Sequence, residues 1–344
     1  MKCAALPKIL FILKQNTLDY TDCEGQKPLH RSSGLMNSAL FVVHALRRHG
    51  FDAEIELAND NNCIDRLVTQ HRPNYVVLEA LWVVPEKFEQ LIPLHPTVHW
   101  IVRLHSETPF LAQEGIAFEW IQKYVKYPSV SIASNSIRNK TELEALLQRK
   151  VMYLPNYYPI SPETIEVREL PQHEFLDIAC FGAIRPLKNQ VAQAIAAISY
   201  ANFRGKKLRF HINGTRAEVG GTPVLKSLRA LFNSGKHELV EHLWMTHGKF
   251  LEVVASMDVL MQVSFTETFN IVSADAVSQG VPIVTSKEIT WSDMRWRADP
   301  TSFQEISNAL DLAYRYRHKN VRENLEGLVN YNRNALEAWV AAIR

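Results

Sequence analysis

Residues 263–286, VSFTETFNIVSADAVSQGVPIVTS, carry a strand end, a loop, a helix and a second strand in one stretch. A polar loop runs through Ser264 and Glu267. The helix is expected to begin near Phe269 and to close at Gln279-Gly280, and Val281 to Thr285 resumes an apolar run. A glycine after a helix, followed by an apolar segment, marks a helix-to-strand junction. The rest of the chain keeps the same rhythm. Apolar runs at Lys8–Lys14, Phe51–Leu57, Asn74–Glu79, Val98–Leu104 and Val130–Ala133 alternate with helical patterns, the first helix at Leu35–His49. A second series follows: strand Asp177–Phe181, helix Gln190–Phe203, strand Leu208–Ile212 and helix Pro223–Asn233. Alternating strands and helices predict doubly wound parallel sheets. The segment from Tyr153 to Pro162 holds three prolines and, with the polar residues up to His173, reads as an interdomain linker.

The loop–helix element suits a phosphorylated sugar. The first amides of a helix have no intrahelical acceptor, so those of Asn270 and Ile271 can cradle a phosphate with the helix dipole behind them. Glu267 can accept hydrogen bonds from sugar hydroxyls. Asp275, expected about two turns into the helix, is placed to reach a ribose diol. A charge ahead of a buried helix also serves any α/β protein, and that plainer reading stays open here.

The spacing Glu267, Phe269-Asn270, Asp275, Gly280-x-Pro282-Ile283-Val284 resembles the nucleotide-sugar signature of retaining GT-B glycosyltransferases of the family-4-like group. That pattern has Gly where Asn270 stands and Glu where Asp275 stands. Phe181-Gly-Ala-Ile-Arg-Pro-Leu-Lys-Asn189 is similar to the family's Gly-Arg-x-x-x-x-Lys segment, whose cations neutralise the donor diphosphate. Lys188 falls on the family lysine. Ala183 occupies the arginine position, and Arg185 lies two residues later. Cations suit a diphosphate leaving group, which gains charge as the glycosidic bond breaks.

The resemblance implies a GT-B fold: two Rossmann-like doubly wound domains with an interdomain cleft and a C-terminal crossing helix. The boundaries expected are 1–158 for an acceptor-side domain, 159–175 for the linker, 176–323 for the nucleotide-sugar domain and 324–344 for a helix returning to the first. It further implies a donor set of Gly34, Gly182, Arg185, Lys188, Asn213, Thr246, Glu267, Thr268, Phe269, Asn270, Ile271 and Asp275, with His105, Lys188 and Glu267 closest to the chemistry. Gly34 follows Arg31-Ser-Ser at the start of the first helix, and His105 ends a strand, where α/β sheets place ligands. Glu107 is a candidate partner or competing base for His105. Asn213-Gly214 and the segment Glu238–Phe250, which contains Thr246, fall where the family holds the nucleobase.

The implied reaction is metal-independent retaining transfer of a sugar from a nucleoside diphosphate donor, with no cofactor. The chain has no Asp-x-Asp pair, no P-loop and no zinc-ligand spacing. Two other readings share the architecture: a nucleotide-binding GT-B protein without catalysis, and a nucleotide-sugar epimerase. The acceptor is open between a glycan, a lipopolysaccharide, a small molecule and a modified base in DNA. Two basic, aromatic-flanked stretches, Phe203–Phe210 and Tyr314–Lys319, bear on DNA, but they read more readily as a solvated loop and a helix face. A net charge of +2 argues against wholesale coating of nucleic acid. Four scattered cysteines (Cys3, Cys23, Cys63, Cys180) without C-x-x-C spacing read as reduced thiols of a cytoplasmic protein. On that reading the sequons at Asn139 and Asn213 carry no glycosylation message. The apolar run Ile9–Leu13 is too short for a signal peptide or a membrane span.

Overall fold

A computed structural model of the chain describes residues 6–14, 34–167, 169, 174–218, 220–233 and 235–343. The polar stretch 15–33, with Arg31 to Ser33 ahead of Gly34, lies outside the described residues, as do Cys3, Cys23 and the 170–173 part of the expected linker. The chain divides into two compact units. Of the described residues, unit 1 holds those up to Pro159 together with 331–343, and unit 2 holds those from Ile160 to Asn330.

Unit 1 contains strands β1 (Lys8–Lys14), β2 (Asp52–Ala58), β3 (Tyr75–Glu79), β4 (His99–Leu104), β5 (Val130–Ser134) and β6 (Met152–Tyr153). Its helices are α1 (Gly34–Arg48), α2 (Cys63–His71), α3 (Phe88–Leu94), α4 (Thr108–Leu111), α5 (Ala117–Tyr124) and α6 (Ile137–Leu147). The strands pair in parallel in the order β2-β1-β3-β4-β5-β6. Successive side chains of a strand face opposite ways, so the sheet builds two cores. Leu10, Ile12, Val76, Leu78, Trp100 and Val102 pack on one face with Phe88 and Tyr124. Ile9, Phe11, Leu13, Val77 and Ile101 pack on the other with α1. Trp339 belongs to this second core: its ring lies 5.5 Å from Phe11, and its indole N–H donates to the Pro155 carbonyl at 2.8 Å.

Unit 2 contains β7 (Phe175–Ala179), β8 (Lys207–Ile212), β9 (Glu238–Glu241), β10 (Val259–Gln262) and β11 (Ile283–Thr285). Its helices are α7 (Gln190–Phe203), α8 (Gly221–Leu231), α9 (His247–Ala255), α10 (Ile271–Ser278) and α11 (Phe303–Arg315); α12 (Arg317–Ile343) starts here and ends in unit 1. The parallel strand order is β11-β10-β7-β8-β9. The order therefore reverses between β7 and β10, and the loops leaving these two strands diverge at the carboxyl edge of the sheet. This switch point is where open α/β sheets bind ligands.

The structure moves some expected boundaries. The strand expected at Asp177–Phe181 is Phe175–Ala179, because the Phe181 carbonyl accepts from the buried Gln262 side chain rather than a neighbouring strand. The helix expected from Phe269 starts at Ile271. Asn270 is its N-cap at φ 59°, with its side-chain oxygen accepting from the Ser273 N–H at 2.9 Å. The tail helix starts at Arg317 rather than Asn324. Gly280 closes α10 at φ +69°, and a Cβ there would lie 2.0 Å from the Glu166 carbonyl oxygen, so the junction requires glycine. Among the described residues, no helix is long and apolar enough to cross a membrane.

Candidate functional site

Two loops meet at the unit 2 switch point. The first, Cys180–Asn189, leaves β7. Gly182 turns it at φ +109°, and its N–H donates to the buried Asn213 side chain at 2.8 Å. The space a Cβ would fill at Gly182 is open. A 3-10 turn at Pro186–Lys188 follows, and Asn189 in the left-handed region starts α7. The second loop, Val263–Asn270, leaves β10. Side chains stitch the two together. The Asn189 amide donates to the carbonyls of Val263 (3.2 Å) and Pro300 (2.8 Å). Gln193 accepts from the Val263 N–H and donates to the Lys188 carbonyl, both at 2.8 Å. The Phe265 N–H donates to Leu187 O at 2.9 Å.

This stitching brings Lys188 and Glu267 together: the Lys188 ammonium donates to the Glu267 carboxylate. Both side chains stay partly open, at 18% and 11% of their full exposure. Next to Glu267, Phe269 is buried, its carbonyl held by the Trp291 indole N–H at 2.7 Å. Asn270 then takes the left-handed conformation that Gly adopts without strain and Asn tolerates better than most residues. The Asn-for-Gly departure thus has a local cause, and the Asn side chain adds a cap that Gly lacks. With the Ser273 amide capped by Asn270, the amides of Ile271 and Val272 remain the donors of the first turn. Four buried hydroxyls in and around this element, on Ser264, Thr266, Ser273 and Ser286, have no hydrogen-bond partner in the structure.

Other expected residues stand elsewhere. Arg185 pairs with Glu218, which also holds Arg216 at 2.6 Å. Thr246 is exposed and is the N-cap residue of α9, but its hydroxyl makes no cap. Thr268 is half-buried beside Glu267. Asp275 is the fifth residue of α10, little more than one turn in rather than two, because the helix starts later than expected. Its side chain is buried, and Oδ1 takes the His247 Nε2–H at 2.7 Å. Burial works against the His247 imidazolium, but the hydrogen bond to Asp275 and its charge outweigh this, so His247 titrates above the usual histidine range. Cys180 is buried and free, with its thiol pushed up to about 12 by burial, which leaves it inert.

In unit 1, Gly34 opens α1 and His105 follows β4. The partner of His105 is not Glu107 but Glu79, from the end of β3. Arg103, in register with Glu79 across β3 and β4, donates to both its oxygens at 2.9 and 3.1 Å. Arg103 also donates to the Leu154 carbonyl (2.8 Å) and to Asn156 (2.7 Å). Burial opposes ionisation of Glu79, but the Arg103 and His105 charges hold its carboxyl below the usual range. Burial pushes His105 below the usual histidine range, against Glu79 and with Arg103. Ala80, just after β3, sits at φ +70°, a strained conformation for a residue with a Cβ. Glu107 instead takes bonds from Ser136 and from Arg138 (3.1 Å), and burial nonetheless raises its carboxyl. Among the described residues, no group of three or more His, Cys, Asp or Glu side chains is placed to hold a metal ion.

No protein-family model matches the chain, and no curated protein matches it. Solved structures do. An apo structure of OtsA aligns over 98% of this chain and 99% of its own, with TM-score 0.69 and 10% identity. The N-terminal domain of Candida albicans trehalose-6-phosphate phosphatase aligns over 100% and 97%, with TM-score 0.68 and 9% identity. An E. coli protein bound with UDP-2-fluoro glucose aligns over 97% and 98%, with TM-score 0.66 and 11% identity. At such identities the likeness is one of fold, and the fold is GT-B.

Proposed function

We propose that this chain is a metal-independent, retaining glycosyltransferase that moves a sugar from a nucleoside diphosphate donor to an acceptor hydroxyl. The observation that carries the reading is the Lys188–Glu267 pair, one cation and one carboxylate held beside the α10 N-terminus at the switch point of the unit 2 sheet. Lys188 and the amides of Asn270 and Ile271 take the diphosphate. Glu267 accepts from hydroxyls of the donor sugar, and Thr268 and Phe269 shape the turn between them. Gly182, with no Cβ and open space beside it, and Asn213, which fixes it, border the nucleotide. Thr246, ahead of α9, is assigned to the nucleobase end, and Arg185 to the phosphates on release from Glu218. In unit 1 the same reading gives His105 and Gly34 a part in the reaction.

In this reaction the bond between the anomeric carbon and the phosphate oxygen breaks, and a bond to the acceptor oxygen forms on the same face. The acceptor proton passes to the departing diphosphate. Lys188 and the helix amides stabilise the charge that develops on that leaving group. The solved relatives support the donor class and the stereochemistry. One is bound with UDP-2-fluoro glucose, and another, 12% identical with TM-score 0.60, is a trehalose-6-phosphate synthase studied for glycosyl transfer with retention.

A thermal-shift screen with UDP-, GDP-, ADP- and dTDP-sugars tests the reading. One donor should stabilise the protein by about 2.7 kcal/mol at about 100 times its Kd. Both the shift and sugar transfer should persist in EDTA. Restoration of transfer only by magnesium or manganese would remove the metal-independent mechanism. Stabilisation without transfer to any glycan, lipopolysaccharide, small-molecule or DNA acceptor would favour a nucleotide-binding protein, and no stabilisation would end the donor reading.

A further inference from the structure

The signature that this chain resembles has a long carboxylate at its second acidic position, and here Asp275 puts a short one there. The structure does more than shorten the arm. Asp275 is closed off: only 3% of its side chain is exposed, whereas the His247 side chain bonded to it keeps 23%. His247 is the first residue of α9, and Asp275 lies a little over one turn into α10. The two helices pack against each other, and the 2.7 Å bond joins them. The face the pair offers to solvent is therefore an imidazole and not a carboxylate.

We propose that His247, oriented by Asp275, is the residue with which this chain reads the ribose of its nucleotide. The inference rests on the donor reading above and specifies one part of it. Asp275 becomes a positioning residue: it accepts the Nε2–H and so fixes the ring and its tautomer, as carboxylates do for functional histidines elsewhere. A ribose hydroxyl both donates and accepts, so it can pair with the imidazole whether the ring is neutral or protonated. The ring adds the reach that replacement of Glu by Asp removes. His247 and Asp275 are thus one composite arm rather than a ligand and a bystander.

The test is isothermal titration with UDP, GDP and ADP, each beside its 2′,3′-dideoxy counterpart. The native protein should prefer the ribonucleotide of its base by roughly 10- to 100-fold, the value of one or two hydrogen bonds to the diol. In His247→Ala and His247→Gln that preference should fall several-fold or more, while affinity for the dideoxy form stays as in the native protein. The dideoxy affinity reports that the site is still folded. Asp275→Asn keeps an acceptor oxygen and should lose only part of the preference, and Asp275→Ala should match His247→Ala. If both His247 variants keep the native preference while Asp275→Asn loses it, the carboxylate itself reads the ribose and the inference is overturned. A native protein that binds a nucleotide with no regard for its ribose hydroxyls also overturns it, but leaves the donor reading standing. Binding of none of the three nucleotides ends both.

Discussion

Replacing Lys188 by alanine should lower turnover at saturating donor about 100- to 1000-fold, the usual loss when one preorganised donor to a developing charge is removed. The same change should cost little stability. Lys188 lies in a partly exposed pair at the end of a 3-10 turn, and its side chain anchors no core. The Glu267 left behind sits ahead of the α10 N-terminus, where the helix dipole favours a negative charge. Loss of rate and loss of stability should therefore separate, which a catalytic ligand allows and a structural lysine does not. Glu267→Gln should also depress turnover, but through the sugar, so binding of the bare nucleoside diphosphate should survive it. Because the two side chains touch, their double variant should lose less than the sum of the single losses. The measurements are single-turnover rates beside melting curves. A folded Lys188→Ala protein with native turnover would take Lys188 out of the chemistry.

The parts of this site that the sequence discloses are the local ones. The 263–286 element is recognisable because strand, loop, helix and glycine stop follow one another within a few residues, each with its own short-range cause. Helix α7 is recognisable for the same reason, at its observed bounds Gln190–Phe203. What stays hidden comes from residues far apart in the chain. His247 and Asp275 are 28 positions apart, and Glu79 and Arg103 are 24 apart. Proximity in sequence suggested Glu107 for His105, two residues along. The sheet supplies Glu79 instead, because β3 lies beside β4 with Glu79 opposite Arg103. Knowledge of the strand register would have found it, and register is a property of the assembled sheet. The late start of α10 was hidden too, since nothing local announces that Asn270 turns left-handed before the helix begins.

Removing the guanidinium from Arg103 should be strongly destabilising to unit 1, at about 3–5 kcal/mol for Arg103→Met. Arg103 and Glu79 are both fully buried, and a buried charge that loses its partner keeps its desolvation cost without compensation. The change also takes a donor from the Leu154 carbonyl and the shorter of two donors from Asn156 Oδ1, and it removes a guanidinium 5.2 Å from the Trp339 ring. At roughly 2–4 °C per kcal/mol for a unit of this size, the melting transition of unit 1 should fall by about 6–20 °C. The pH dependence carries a sharper sign. In the native protein the Glu79 carboxyl is held below its ordinary value of 4.5, so its contribution is present above that pH and is lost as the pH falls through the folded value. Without Arg103, burial is opposed only by the His105 charge and hydrogen bond, so the hold that keeps the carboxyl low weakens. The stability that Glu79 loses on acidification below its ordinary value should therefore be smaller in Arg103→Met than in the native protein. Pairing Arg103→Met with Glu79→Leu should recover much of the stability, since a buried pair replaced by apolar groups of similar size is often neutral. It would not recover whatever His105 does, because that ring would have lost the carboxylate that holds it. An Arg103→Met protein that melts within about 2 °C of the native one would mean the chain pays no net cost for an unpaired Glu79, contrary to the size of effect expected for a buried charge.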